Sequence, residues 1–278
     1  MTAALALLAA LQLGVADFLG GLLSRRVAQI TVLVLSQLVA TVAVVPRLIL
    51  EPIGPDALPA YGWGALSGVG AAVGVSALYR ALAIGTMGVV APISALGVLV
   101  PVAAGVIGGD APGALLIVGM IAAVIGSVCA SGPELRRGDG AGLKPILLAL
   151  LAAAGFGTNN LAVAWGSAYD ISATLAANVV TTLVLYLVAM LVLRTVPRAR
   201  GRDLAGIVAI GILGLLANLC FAIASDSGML SVVAVCASVF PAVTAVLGWW
   251  FLKERLMPVQ LLGVVLVLGG VAVVALAM

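Results

Sequence analysis

Apolar stretches close to 20 residues long follow one another along the whole chain, separated by short segments that hold turn residues and most of the charges. A helix rises about 1.5 Å per residue, so each stretch is long enough to cross a hydrocarbon layer about 30 Å thick. Apolar and polar positions do not alternate within them: LLGVVLVLGGVAVVALA, near the C-terminus, is apolar on every side. Barrel strands would alternate in pieces of about ten residues, and an open strand in lipid would leave backbone groups unpaired, so the pattern predicts helices. Ten spans are predicted, over 2–23, 31–50, 60–83, 89–109, 112–131, 145–168, 171–193, 203–224, 229–252 and 257–277. The first stretch lacks a basic leader and runs on to Leu23, so it is read as a retained span and not as a signal peptide.

Composition agrees with this reading. Hydrophobic residues make up 64% of the 278 and charged residues 8%, too few to clothe a water-soluble surface, for which about 25% is usual. The net charge of +3 is scattered and forms no dense basic patch, which argues against a nucleic-acid partner. Cys129, Cys220 and Cys236 all fall within apolar spans, where they read as small packing residues.

The chain divides at its most hydrophilic connection, SGPELRRGDGAGLK, and the parts on either side are alike. Residues 1–133 form the first five-span unit, 134–144 the linker and 145–278 the second unit. A shift of 140 places Gly74 on Gly214, Gly88 on Gly228 and Pro101 on Pro241, and GVAD at 14–17 answers GTNN at 157–160. Since five is odd, the second unit enters the membrane from the opposite side. The expected fold is an all-α integral membrane protein of ten transmembrane helices, arranged as two inverted five-helix repeats with a solute site between them near the midplane.

YRALAIGTMGVVAPISALGVLVPV in the first unit and LSVVAVCASVFPAVTAVLGWWFLKERLMPVQLLGVVLVLGGVAVV in the second carry a further resemblance. They resemble the drug/metabolite transporter superfamily, EamA type, over essentially the whole chain. The resemblance implies a carrier whose cavity is framed by spans 1, 3, 4, 6, 8 and 9, in a multi-pass cell (cytoplasmic) membrane protein.

A charge inside a span needs a partner or a watery cavity. Asp17 and Arg80 are the two such charges, near span ends that reach the same face, so an Asp17–Arg80 pair is geometrically open, either as a lock between two helices or as a solute- or proton-handling site; Arg80 snorkelling alone is the third reading. Asp17 is the one acid well inside a span and thus the candidate for proton coupling. Thr158, Asn159 and Asn160 in span 6 and Asn218 in span 8 offer polar groups for a solute without the cost of a charge, although interhelical hydrogen bonding would use the same groups. Tyr79 and Trp165 are read either as solute contacts or as interfacial anchors. Pro92, Pro101 and Pro241 have no N–H to offer the residue four before, which leaves the carbonyls of Gly88, Gly97 and Ala237 free and makes these prolines candidate hinges.

These features favour secondary transport of a small metabolite or amphipathic compound by alternating access, with export as the expected direction and protons as the candidate coupling ion. A passive facilitator or a lipid flippase on the same fold is the alternative. A membrane enzyme is disfavoured, because the chain has no His, no metal-ligand cluster and no phosphate-binding loop. No cofactor and no metal are expected; the partners are the small-molecule substrate and the bilayer, and the assembly is a monomer or a homodimer. Twelve of the 13 basic residues lie on the loops and flanking helix ends that follow odd-numbered spans, and only Arg47 lies on the other side. That bias puts the odd loops in the cytoplasm and both termini outside, whereas the superfamily resemblance implies cytoplasmic termini. By the charge bias, single cysteines added at the two ends will react with an impermeant thiol reagent applied to intact cells, and protection of both would reverse the orientation.

Overall fold

A computed structural model of the chain describes residues 2–24, 26–50, 57–84, 93–94, 96–130, 143–195, 199–252 and 258–277. These form α1 (Thr2–Ser24), α2 (Gln29–Leu50), α3 (Leu58–Ile84), a 3-10 turn (Leu96–Val98) leading into α4 (Leu99–Ile107), and α5 (Ala114–Ala130). The second half contains α6 (Leu143–Ser167), α7 (Ile171–Val192), α8 (Gly201–Ser227), α9 (Leu230–Ala237), α10 (Phe240–Leu252) and α11 (Pro258–Ala277). Helix ends fall within three residues of those read from the pattern, apart from the fourth span, whose residues 85–92 lie outside the described set together with Pro92. By length and composition, α1, α3, α6, α7 and α8 can each cross a membrane.

The ninth span differs from expectation in being two helices. α9 stops at Ala237, a turn at Ser238–Val239 follows, and α10 begins at Phe240 with Pro241 in its first turn. Proline fits a first turn, where its missing N–H is not needed, and it deprives the Ala237 carbonyl of the donor that would have carried α9 onward. The fourth span departs from α geometry at the matching place: Leu96–Val98 is 3-10 and runs straight into α4, with Pro101 buried in its first turn. The two interruptions are related by the same 140-residue shift that superimposes the prolines, Gly97 falling on Ala237 and Val98 on Ser238.

Lipid rewards a leucine at the surface as well as a core does, so helix association relies on close contact between small residues. The buried positions are accordingly rich in alanine and glycine, with Ala6, Ala60, Ala81, Ala123, Ala149, Ala152, Ala173, Ala222 and Ala224 fully enclosed. Large apolar side chains such as Ile107, Leu191, Val192 and Leu261 face outward. At the α3–α6 crossing the backbones nearly touch: a Cβ on Gly155 would lie 2.5 Å from the Gly74 nitrogen and 2.7 Å from the Gly70 oxygen. α5 meets α11 in the same way, where a Cβ on Gly270 would lie 2.6 Å from the Gly119 oxygen and from the Ala123 nitrogen.

Contacts recur between the halves. Gly14 of α1 packs on Phe240 and Val243, and Gly157 of α6 packs on Gly97 and Val100; Gly14 answers Gly157 in the sequence repeat, and Phe240 answers Val100. α3 packs on α6 as α1 packs on α8, and α3 on α7 as α2 on α8. At the loop end of this assembly Asp110, just beyond α4, accepts hydrogen bonds from the backbone N–H and the hydroxyl of Ser231, both at 2.8 Å. It thereby supplies, from across the fold, the acceptor that an N-cap side chain would give the first turn of α9. Replacing Gly155 by leucine drives a side chain into the backbone of α3, and the expected cost is about 3 kcal/mol or more. It will be seen as an earlier thermal unfolding transition in detergent, while leucine at Gly62, where a Cβ meets nothing within 4 Å, leaves the transition in place.

Candidate functional site

A cavity of about 180 Å³ opens where α1, α2, α3, α6, α7 and α8 surround the two helix interruptions. Its lining lies in the middle of α1 (Ala9 to Asp17), α6 (Phe156 to Asn160), α7 (Asn178 to Tyr186) and α8 (Ile210 to Phe221), toward the start of α2 (Leu33 to Ala40), and in the second half of α3 (Ala71 to Tyr79). Gly97 and Val98 from one interruption, and Ala237, Ser238 and Phe240 from the other, complete the wall. The carbonyls that Pro101 and Pro241 leave without an N–H partner therefore belong to residues bordering the cavity.

Asp17, Tyr79, Asn159, Asn160 and Asn218 all line this space. Asp17 and Asn160 hold equivalent places in GVAD and GTNN, so the two halves present an acid and an amide at matching positions. Gly20, one turn beyond Asp17, leaves room for the Tyr79 hydroxyl, which a Cβ there would strike. Small residues at Ala16, Ala71, Gly211 and Gly214 keep the remaining walls back; a Cβ on Gly214 would meet nothing within 4 Å.

Three expected site residues are placed elsewhere. Arg80 is exposed four residues before the end of α3 and does not border the cavity, and among the described residues no ion pair joins it to Asp17. The Asp17–Arg80 pair is thus not formed. One helical residue advances about 100° around the axis, so Tyr79 turning inward obliges Arg80 to turn out, where its long stem can carry the charge to the water boundary. Thr158 likewise falls outside the cavity lining, one position before the inward pair Asn159 and Asn160. Trp165 is 43% exposed and stacks edge-on against Trp63, ring centroids 4.9 Å apart, in the last turn of α6. It answers to the anchor reading, not to solute contact.

α2 and α7 enter the wall although neither was expected there. α7 contributes Asn178, Val179, Thr182 and Tyr186, and α2 contributes Ser36 and Gln37. The signal was present in the chain: Thr174, Asn178, Thr182 and Tyr186 are spaced by four, which aligns them on one face of an otherwise apolar helix. All four are nearly inaccessible to solvent.

This face carries the polar contacts that join the helices. The Asn178 amide donates to Ser67 Oγ at 2.8 Å and to Asn159 Oδ1 at 3.1 Å, and Ser67 donates to the Gly64 carbonyl at 2.7 Å. Asn159 in turn donates to Asn160 Oδ1 at 3.1 Å. One turn on, the Thr182 hydroxyl reaches the Gly68 carbonyl at 3.0 Å, while Gln37 Nε2 donates to the Val179 carbonyl at 3.1 Å. Asn159 is therefore committed to its neighbours. Among the described residues, the Asn160 amide nitrogen and the whole Asn218 side chain make no hydrogen bond, which leaves them available to a solute.

Residues 143–276 match the EamA-like transporter family. No curated protein matches the chain. Over its whole length the fold is similar to a solved structure described as "Crystal structure of protein", with a TM-score of 0.77 and 18% identity over 99% of this chain and 95% of that one. The likeness shows a shared fold. Removing the Asn178 amide leaves Ser67 and Asn159 without their interhelical partner, at a cost of about 1–2 kcal/mol. Asn178→Ala is accordingly expected to lower the unfolding temperature in detergent, whereas Asn218→Ala, which breaks no hydrogen bond, will leave it unchanged.

Proposed function

We propose that this chain, which belongs to the EamA-like transporter family through its second half, is a secondary carrier that moves a small solute through the cavity between its halves by alternating access. The observation that carries this reading is the joint wall: α1, α2 and α3 from the first half, α6, α7 and α8 from the second, and one interrupted span from each. A pore or a structural bundle has no need of two spans that depart from regular α geometry at matching positions beside one cavity. For a carrier they supply backbone carbonyls to the solute and joints at which the outer segments can tilt.

In this reading residues 1–133 and 145–278 are inverted five-helix repeats, and exchanging their roles turns a cavity open to one side into one open to the other. The paired contacts of Gly14 and Gly157 support it, since the same packing must survive in either arrangement. Asn160, Asn218, Asp17 and Tyr79 are the residues we assign to solute, and Pro101 and Pro241 the hinges. With solute carried outward, Asp17 is the proton site, because it is the one acid among the described lining residues and a carboxyl in a cavity that alternates between sides can load and release a proton on each.

The test uses protein reconstituted in liposomes. A pH gradient will drive accumulation of labelled substrate, identified first by a thermal-shift screen of metabolites. Asp17→Asn will retain exchange at saturating substrate, with weaker apparent affinity, but lose accumulation against a concentration gradient; accumulation that persists in this variant removes Asp17 from coupling. A Pro241→Ala variant should slow exchange several-fold with little change in affinity, and an unchanged rate would deny the interruption its part in the motion.

A further inference from the structure

The cavity wall is not a general-purpose mixture of polar and apolar groups. The chain has 13 aromatic residues, and five of them, Tyr79, Phe156, Tyr186, Phe221 and Phe240, border this one space from five different helices. Phe156 and Phe240 meet edge to face, with ring centroids 6.4 Å apart and planes at 71°. Such an arrangement turns ring faces toward different directions. Asp17 brings a carboxyl group to the same lining as Tyr79, and an organic cation beside it would hold that group as the carboxylate.

No lysine or arginine accompanies them. Arg80, which would have balanced Asp17 and made the site suitable for zwitterions, points away, so the described lining holds one acid and no base. The amides of Asn160 and Asn218 are neutral and can donate or accept. Among the described lining a solute carboxylate would find only neutral donors, amide N–H and hydroxyl groups, with an acid beside them and no cation to pair with. An organic cation would find a carboxylate together with aromatic faces, whose negative quadrupoles attract ammonium groups most strongly where water is scarce.

Resting on the carrier reading above, we propose that the site selects monovalent organic cations, amines or quaternary ammonium compounds, that lack a carboxylate. The volume limits their size. An apolar cavity of about 150 Å³ holds benzene, so about 180 Å³ suits a cation with a single ring or an aliphatic body of similar bulk. Asp17 supplies the charge partner, the rings supply the enclosure, and Asn160 with Asn218 addresses a hydroxyl or ether on the solute.

Three single-ring probes of nearly the same shape separate the possibilities: phenyltrimethylammonium, the zwitterion 4-(trimethylammonio)benzoate and the anion 4-tert-butylbenzoate. Binding of labelled phenyltrimethylammonium is measured on the full chain in lipid nanodiscs, with the other two as competitors. The cation will bind at least tenfold more tightly than either competitor. Asp17→Asn will weaken it at least tenfold, and Tyr186→Leu will weaken it several-fold, while Leu191→Ala, on the outward face of α7, will have no effect. A zwitterion or anion that binds as tightly as the cation overturns the proposal, and so does a cation affinity unchanged in Asp17→Asn. Should that variant not fold, the order of the three probes on the unaltered protein still decides. Liposome flux is read separately: selective cation binding without movement across the bilayer would refute the carrier and keep the selectivity, whereas movement of other solutes without cation preference would do the reverse.

Discussion

Helices in lipid gain almost nothing by hiding leucine from their surroundings, and everything in this structure follows from the remaining way to hold them together, which is close backbone approach. Gly70 and Gly74 on α3 meet Gly155 on α6 so closely that no side chain fits between them. This departs from the habit of a water-soluble fold: alanine, glycine and serine make up much of the enclosed surface, and many of the bulky aliphatic residues, such as Ile107, Leu191 and Val192, turn outward. Because contacts between small residues are short-ranged, helices that touch at glycine must diverge elsewhere. The divergence leaves a space, and the cavity between the halves is that space.

Polar side chains complete what the glycines begin. An amide in hydrocarbon must be paired, and Asn178 finds its partners on α3 and α6 at the level where those helices cross. The bond sets the rotation of α7, and with it the inward direction of Thr182 and Tyr186, which follow at one-turn intervals. Asn160 takes part only as an acceptor from Asn159 and keeps its donor free. The site thus grades from structural amides, fully engaged, to available ones, and the difference between Asn159 and Asn160 is one residue of helical rotation.

Much of the architecture was legible in the chain. Lengths of apolar segments predicted the helix ends closely, and the proline and glycine spacing predicted a repeat and picked out the two spans that carry Pro101 and Pro241, while the break in the ninth span came only from the structure. The candidate residues Asp17, Tyr79, Asn159, Asn160 and Asn218 were recognised because a polar group within an apolar run is conspicuous. The same criterion missed α7, where threonine, asparagine and tyrosine are spread thinly enough among valines and leucines to pass as ordinary variation. It also misplaced Arg80, Thr158 and Trp165. Membership in a span says how deep a residue lies, and these three differ from their neighbours Tyr79, Asn159 and Ala164 in azimuth, which in a helix apolar on all sides no periodicity reveals.

The positions and lengths of the apolar helices were determined by the sequence alone, since each depends on local chain properties: run length against bilayer thickness and backbone chemistry at proline. Which face of each helix turns inward was decided only by tertiary structure. Rotation about a helix axis is set by the neighbour it meets, here by Gly155 against Gly74 and by Asn178 against Ser67, and these partners lie 81 and 111 residues apart in the chain. Through that choice the fold brought Asp17 and five aromatic rings to one cavity and sent Arg80 away from it, and so set the charge of the space a solute would enter.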